Sequence, residues 1–323
     1  MSRVMVLAEH RQGALRDVTL EMLAAARGLA ETAGGEVEVV LFGAGCEDLA
    51  RRLAGQAHRV IHADSPAFRE FNYETYQRAL VKLVRERGPA LVMVAHSAYG
   101  TDLAPSLAVE LGAGIVSDAV GFEWTEDGLV VTRGMNGGKL NADRLVPTTP
   151  AVVMVRQSMF KAGEAALGAE VLGWDAGDVA TGLATRFITL EEVPVTGIDI
   201  TKADIIVSVG RGLKEDKNLP AIEEFARAIG GVVAGSRPVV DAGWLPKERQ
   251  VGSSGRTVKP KLYIALGISG AFQHVAGMSG ADTIVAVNKD ARAPIFSVAH
   301  YGIVDDMHKV VPLLREKLVA MKS

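Results

Sequence analysis

Leu262-Tyr-Ile-Ala-Leu-Gly-Ile-Ser-Gly-Ala-Phe-Gln-His-Val-Ala-Gly-Met278, followed by Thr283-Ile-Val-Ala-Val-Asn-Lys-Asp290, decides the fold class of this chain. A short apolar run breaks at Gly267, a helix start follows, and a second Val/Ile run opens at Thr283. Strand, glycine turn, helix and strand in that order make a βα unit of a parallel sheet. Ser269 and the glycines then fall at the carboxyl end of the first strand, where open α/β sheets place their ligands. Gln273 and His274 come next, at the head of the helix, where an imidazole can face a bound molecule.

Working outward, the same alternation predicts strands at residues 204–209, 231–234, 262–266, 283–287 and 294–298, with a helix over about 219–229. Met307, Val311, Leu314, Leu318 and Met321 recur at helical spacing and predict a closing helix. Pro312 interrupts that helix, so a break is expected at Val311. Upstream, strands are expected at 4–8, 37–42, 59–62 and 91–95, each with the Val/Ile/Leu content of strands buried on both faces. Val18, Met22, Ala25 and Leu29 mark a helix stopping at Gly34-Gly35. Tyr73, Tyr76, Leu80 and Val84 mark another that stops at Gly88-Pro89.

From about residue 112 the pattern changes. Residues 121–132 read as two strands around Glu126-Asp127-Gly128, an antiparallel addition to a mostly parallel sheet. Another strand is expected at 152–155, and residues 157–185 carry no readable period. Glu191-Glu-Val-Pro-Val-Thr-Gly197 breaks both periodicities just before a new βα series starts. The expectation is two α/β domains, residues 1–195 and 196–323, the second Rossmann-like.

Composition excludes several function classes. The 323 residues carry 35 Lys+Arg and 38 Asp+Glu, a net charge of −3, so no basic field exists to attract nucleic acid. Val4 to Ala8 is too short an apolar run for a membrane span, and no membrane insertion is expected. The lone Cys46 fits a thiol-reducing compartment, and a cytoplasmic location is expected. None of the seven histidines falls at HExxH spacing, so no metal site is expected. Gly267-Ile-Ser-Gly-Ala271 lacks the last glycine of a nucleophile elbow, and no hydrolase is expected. Val209-Gly-Arg-Gly-Leu213 lacks the third glycine of a dinucleotide fingerprint, which argues against a stand-alone NAD(P) oxidoreductase. Gly134-Met-Asn-Gly-Gly-Lys139 has the wrong spacing for a P-loop and reads as a loop. Gln250-Val-Gly-Ser-Ser-Gly255 is a small polar loop that offers hydroxyls and main-chain donors.

The stretch Leu262 to Met278 with Thr283 to Asp290 closely resembles the signature of the electron-transfer flavoprotein alpha subunit. Support comes from Gly210-Arg-Gly-Leu213, Gly235-Ser-Arg-Pro-Val-Val-Asp-Ala-Gly243, Gln250 to Gly255, Ala293-Pro-Ile-Phe296 and Tyr301-Gly-Ile-Val-Asp-Asp306, in family order. The first domain matches through Asp102-Leu-Ala-Pro105, Leu107-Ala108, Ser117-Asp118 and Gly137-Gly-Lys139. The resemblance implies a heterodimer with a beta subunit, on which the first domain packs. It implies a carrier without substrate turnover, taking electrons from flavin dehydrogenases such as acyl-CoA dehydrogenase to a membrane electron-transfer flavoprotein-quinone oxidoreductase. It also leaves open a bifurcating complex that takes electrons from NADH with a second flavin. A nucleotide-binding sensor is the reading from another class, and it would leave both loop blocks incidental.

FAD is the implied cofactor, held by the C-terminal domain. Its implied contacts are Arg211, Ser236, Arg237, Val251, Gly252, Ser253, Ser254, Ser269, Gly270, Ala271, Phe272, Gln273, His274, Asn288, Asp306 and Met307. By the resemblance Arg237 lies over the isoalloxazine, where a permanent cation favours the negatively charged reduced ring. His274 lies near flavin O2, where a protonated imidazole would act likewise, titrating between about pH 6 and 8. Ser254 lies near N5, Ser269 to Gln273 along the phosphates, and Asn288 and Asp306 along the polar chain or adenosine. His300, where relatives often have aspartate, and Phe272, where a β-branched residue is usual, depart from the pattern.

Overall fold

Runs of Val, Leu and Ile without alternation form strands buried on both faces, and such runs form the middle of two sheets. The computed structural model describes residues 3–136, 140–157, 159–163, 165–190 and 198–320. The chain falls into two compact units, residues 1–190 and 191–323. The expected linker, Glu191 to Gly197, lies outside the described residues, as do Gly137-Gly-Lys139 and Met321.

In the first unit the elements are β1 (Arg3–Leu7), β2 (His10–Arg11), β3 (Ala14–Leu15), α1 (Asp17–Thr32), β4 (Glu36–Gly43), α2 (Glu47–Ala54), β5 (Arg59–Asp64), α3 (Tyr73–Arg87), β6 (Leu91–Ala95), α4 (Ala98–Leu111), β7 (Gly114–Thr125), β8 (Gly128–Met135), β9 (Leu140–Val146), β10 (Ala151–Val155) and β11 (Glu170–Gly173). The main sheet runs β11-β5-β4-β1-β6-β10-β7-β8-β9. It is parallel from β11 to β7, and β8 and β9 add antiparallel at the end, as the Glu126-Asp127 turn implied. Alternation along β1 sends Val4 and Val6 to the face covered by α1 and α2, and Met5 and Leu7 to the face covered by α3 and α4. Asn72 caps α3 by accepting from the Glu74 and Thr75 N–H groups, and Gly88 ends it at φ 59°, a left-handed conformation that glycine adopts without strain. The unreadable stretch 157–185 contains β11, and cations of α3 hold it. Arg78 donates to the Thr181 carbonyl at 2.6 Å and Lys82 to that of Asp175 at 3.0 Å.

The second unit contains β12 (Ile205–Val209), α5 (Leu219–Ala228), β13 (Val232–Gly235), α6 (Arg237–Asp241), β14 (Leu262–Leu266), α7 (Phe272–Val275), β15 (Thr283–Asn288), β16 (Tyr301–Val304) and α8 (Met307–Ala320). Its sheet is parallel throughout, in the order β13-β12-β14-β15-β16. Strand order reverses between β12 and β14, which makes that crevice the topological switch point.

Two expectations fail here. Residues 294–298 are not a strand: Pro294–Ser297 is a 3-10 turn and the strand is Tyr301–Val304. Proline offers no N–H to a ladder and presets φ for a first helical turn, while Ile295 is buried because the turn packs inward. Tyr301-Gly302-Ile303-Val304 lacks buried periodicity because β16 is an edge strand. The break expected at Val311 is also absent, since α8 continues through Pro312. Proline forfeits one bond, to the carbonyl four residues earlier, and the burial of Val310 and Val311 keeps the helix on the core.

Candidate functional site

All five strands of the second unit deliver residues to one cleft of about 630 Å³. Residues 210–214 follow β12, 236–238 follow β13, 267–274 follow β14, 287–289 end β15 and 305–307 follow β16, with the 250–254 loop closing one side. The cleft thus lies at the carboxyl ends of the strands, beside the switch point. Volume and lining suit a nucleotide-sized ligand.

Backbone proximity explains the glycines. A Cβ at Gly210 would stand 2.3 Å from the Gly267 carbonyl oxygen, so β12 and β14 lead into turns that touch main chain to main chain. Gly252 has φ 143°, and a Cβ there would meet the Gln273 carbonyl at 2.7 Å, next to the bond that Ser253 N–H donates to that carbonyl. Asn288 donates from Nδ2 to the Ile268 carbonyl at 2.8 Å and so fixes the loop after β14. Gln250, buried, donates from Nε2 to Ser254 Oγ at 2.9 Å, leaving the serine hydrogen to donate elsewhere.

Arg211, Lys214, Arg237 and Lys289 bring four cations to the cleft against Asp305 and Asp306. Lys289 pairs with Asp306 at 2.7 Å, and that lysine with the His308 backbone N–H holds the Asp306 carboxyl down to about 2. Asp306 raises the Lys289 ammonium in turn. Arg237 extends into solvent, with its Nε 3.2 Å from Asp241. The residual charge is positive and suits a phosphate-bearing ligand.

His274 is 6% exposed and lies 2.9 Å from the hydroxyl of Tyr263 through Nε2. Its Nδ1 is buried without a hydrogen-bond partner. Burial lowers the imidazole pKa to about 4, the Val251 backbone opposing in part. The histidine is therefore neutral in the protein by itself between pH 6 and 8. This corrects the ordinary titration window assumed from sequence, because desolvation disfavours the charged ring.

Thirteen of the sixteen expected contacts line the cleft; Ser253, Gly270 and Phe272 do not. The Gly270 position, φ 85°, packs against the Ile295 backbone instead, where a Cβ would stand 2.2 Å from its nitrogen. Lys214, Gln250 and Lys289 line the cleft without having been expected, although Gln250 and Lys289 sit inside quoted blocks. Tyr263 was missed because a strand tyrosine reads as core. His300 accepts at Nδ1 from the Ile284 N–H at 2.9 Å. The orphaned Nδ1, the cationic rim and the cleft volume together fit a flavin nucleotide.

An open parallel sheet with a polar, cationic cleft at its switch point defines a nucleotide-binding class of α/β protein. Residues 4–179 match the family described as the electron transfer flavoprotein domain, and residues 199–279 the electron transfer flavoprotein FAD-binding domain. The chain belongs to the electron transfer flavoprotein alpha subunit family. It is 38% identical to the electron transfer flavoprotein subunit alpha of Thermoanaerobacterium thermosaccharolyticum, over 99% of this chain and 98% of that one. It is 39% identical to the subunit of the same name in Megasphaera elsdenii, over 99% and 97%. The acryloyl-CoA reductase electron transfer subunit beta of Anaerotignum propionicum is 35% identical, over 99% and 96%. No helix among the described residues is long and apolar enough to cross a membrane.

Proposed function

We propose that this chain carries FAD in the cleft of its second unit and passes electrons as the alpha subunit of a heterodimer with an electron-transfer flavoprotein beta subunit. The observation that carries the reading is the convergence of thirteen family-implied contacts on one cleft at the ends of five parallel strands. Bound flavin supplies the one- and two-electron chemistry. The chain's part is to hold it: cationic Arg211 and Lys214 suit the phosphates, Arg237 favours negative charge on the ring, and Asn288 fixes the loop that follows β14.

The partners are a flavin dehydrogenase of the acyl-CoA type and an acceptor such as a quinone oxidoreductase, working from the cytoplasm. The relative named for acryloyl-CoA reductase supports the acyl-CoA class of partner. It also supports the second reading, membership of a bifurcating NADH-dependent complex. Co-production with the beta subunit, followed by flavin extraction and an NADH reduction assay, tests both. One FAD per heterodimer and no reduction by NADH fits the simple carrier, and two flavins with NADH reduction fits the bifurcating complex. A colourless heterodimer overturns the proposal.

A further inference from the structure

We propose that Tyr263 is a positioning residue for His274: its hydroxyl donates to Nε2, fixes the neutral tautomer with hydrogen on Nδ1, and presents that N–H to an acceptor oxygen of the bound ligand. The inference rests on the flavin reading of the cleft for the identity of the ligand, but not for the tautomer.

Tyr263 lies in β14, fully buried, and does not line the cleft, so it can act only through another residue. Its oxygen is 2.9 Å from Nε2 and the two rings are tilted by 58° with centroids 6.1 Å apart, a contact made at one edge of the imidazole. Burial raises the phenol pKa, so the hydroxyl keeps its proton. Ser208 in β12 lies one alternation beyond Ile206, the partner of Tyr263 in register, and shares its face of the sheet. Its buried hydroxyl has no hydrogen-bond partner among the described residues.

The direction of donation follows from counting hydrogens. If Tyr263 donates to Nε2, its buried hydrogen finds an acceptor and the neutral ring carries its own hydrogen on Nδ1. If His274 donated to Tyr263 instead, the buried Tyr263 hydrogen would be left without an acceptor, because Nε2 is the hydrogen-bond partner of that hydroxyl among the described residues and the Ser208 hydroxyl makes no bond. A buried polar group left unmatched is costly, so the first arrangement wins. His274 itself lines the cleft and its Nδ1 has no hydrogen-bond partner among the described residues, so the Nδ1 edge is the one free to meet a ligand.

The test uses the full chain as purified with its partner subunit. Nitrogen NMR of ring-labelled His274 should show hydrogen on Nδ1 in the wild type and a tautomer mixture in Tyr263→Phe. Added FAD should bind Tyr263→Phe about two- to tenfold more weakly, the range of one lost hydrogen bond. In a His274→Asn background the same change should cost nothing further. Hydrogen on Nε2 in the wild type, an unchanged tautomer in Tyr263→Phe, or an equal loss in both backgrounds each overturns the proposal. The tautomer signal in the wild type decides the matter even if Tyr263→Phe does not fold. If FAD does not bind the wild type, the flavin reading and the proposed ligand contact fail, while the tautomer result still decides the Tyr263–His274 relation.

Discussion

Lys289 Nζ stands 2.7 Å from Asp306 Oδ2, tying the end of β15 to the start of α8 across the rim of the cleft. The same carboxylate accepts from the His308 N–H at 3.0 Å and caps the helix. Asp306 has a folded pKa near 2 against an ordinary 3.8, so its contribution is fully present above about pH 4 and disappears as pH falls through 2. Asp306→Asn keeps the cap oxygen and loses the charge. Urea unfolding should show it less stable than wild type at pH 7, with the gap closing between pH 4 and 2. A gap independent of pH would show that the pair contributes nothing measurable.

Gly267 has φ 62°, and a Cβ there would stand 2.6 Å from Gly212 Cα and 2.9 Å from Met307 Sδ. Backbone cannot step aside as a side-chain tip does. Gly267→Ala should destabilise the second unit by about 1–3 kcal/mol from backbone strain, with the clash adding to it. It should also reduce flavin binding. A urea midpoint and flavin content equal to wild type would contradict the close packing of these turns.

The Arg237 side chain is 69% exposed, and its ion-pair partner among the described residues is Asp241, itself largely exposed. Removing such a pair changes stability by about 0.5 kcal/mol or less. If the guanidinium lies over the flavin ring, Arg237→Ala lowers the two-electron potential by about 30 mV, the equivalent of a tenfold shift in equilibrium. FAD affinity should fall less. Potentiometry with an unchanged midpoint would remove Arg237 from the ring.

What the sequence made legible follows physical type. Buried parallel strands announce themselves as apolar runs, and β1, β4, β6, β10, β12, β14 and β15 all fall where those runs do. A solvent-exposed edge strand does not, which is why Tyr301–Val304, unlike the buried edge strand β13, escaped and Pro294–Ser297 took its place. Motif residues at strand ends located the cleft because turns there need glycine and small polar groups. Tyr263 escaped because a buried strand tyrosine that touches the cleft only through His274 carries no local signal. The protonation state of His274 escaped for a related reason: desolvation depends on what the fold packs around the ring, which spacing does not reveal.

That desolvation has a direction that can be measured. A histidine with a folded pKa near 4 and an unfolded value near 6.5 binds its proton more readily when unfolded. Stability therefore falls as pH drops from about 6.5 to 4, by about 3 kcal/mol if the whole shift is expressed. His274→Asn has no such proton to bind, so the difference between variant and wild type in urea midpoint should change across that interval and stay level from pH 7 to 8. Negative charge arriving on a bound ring would oppose the desolvation and raise the histidine again. The pH slope of the flavin potential should then differ between wild type and His274→Asn only between about pH 4 and the pKa reached in the reduced state, which must climb about two units to enter the range of pH 6 to 8. Unfolding curves for wild type and variant that stay parallel from pH 7 to 4 would show that His274 is solvated and not the desolvated neutral base described above.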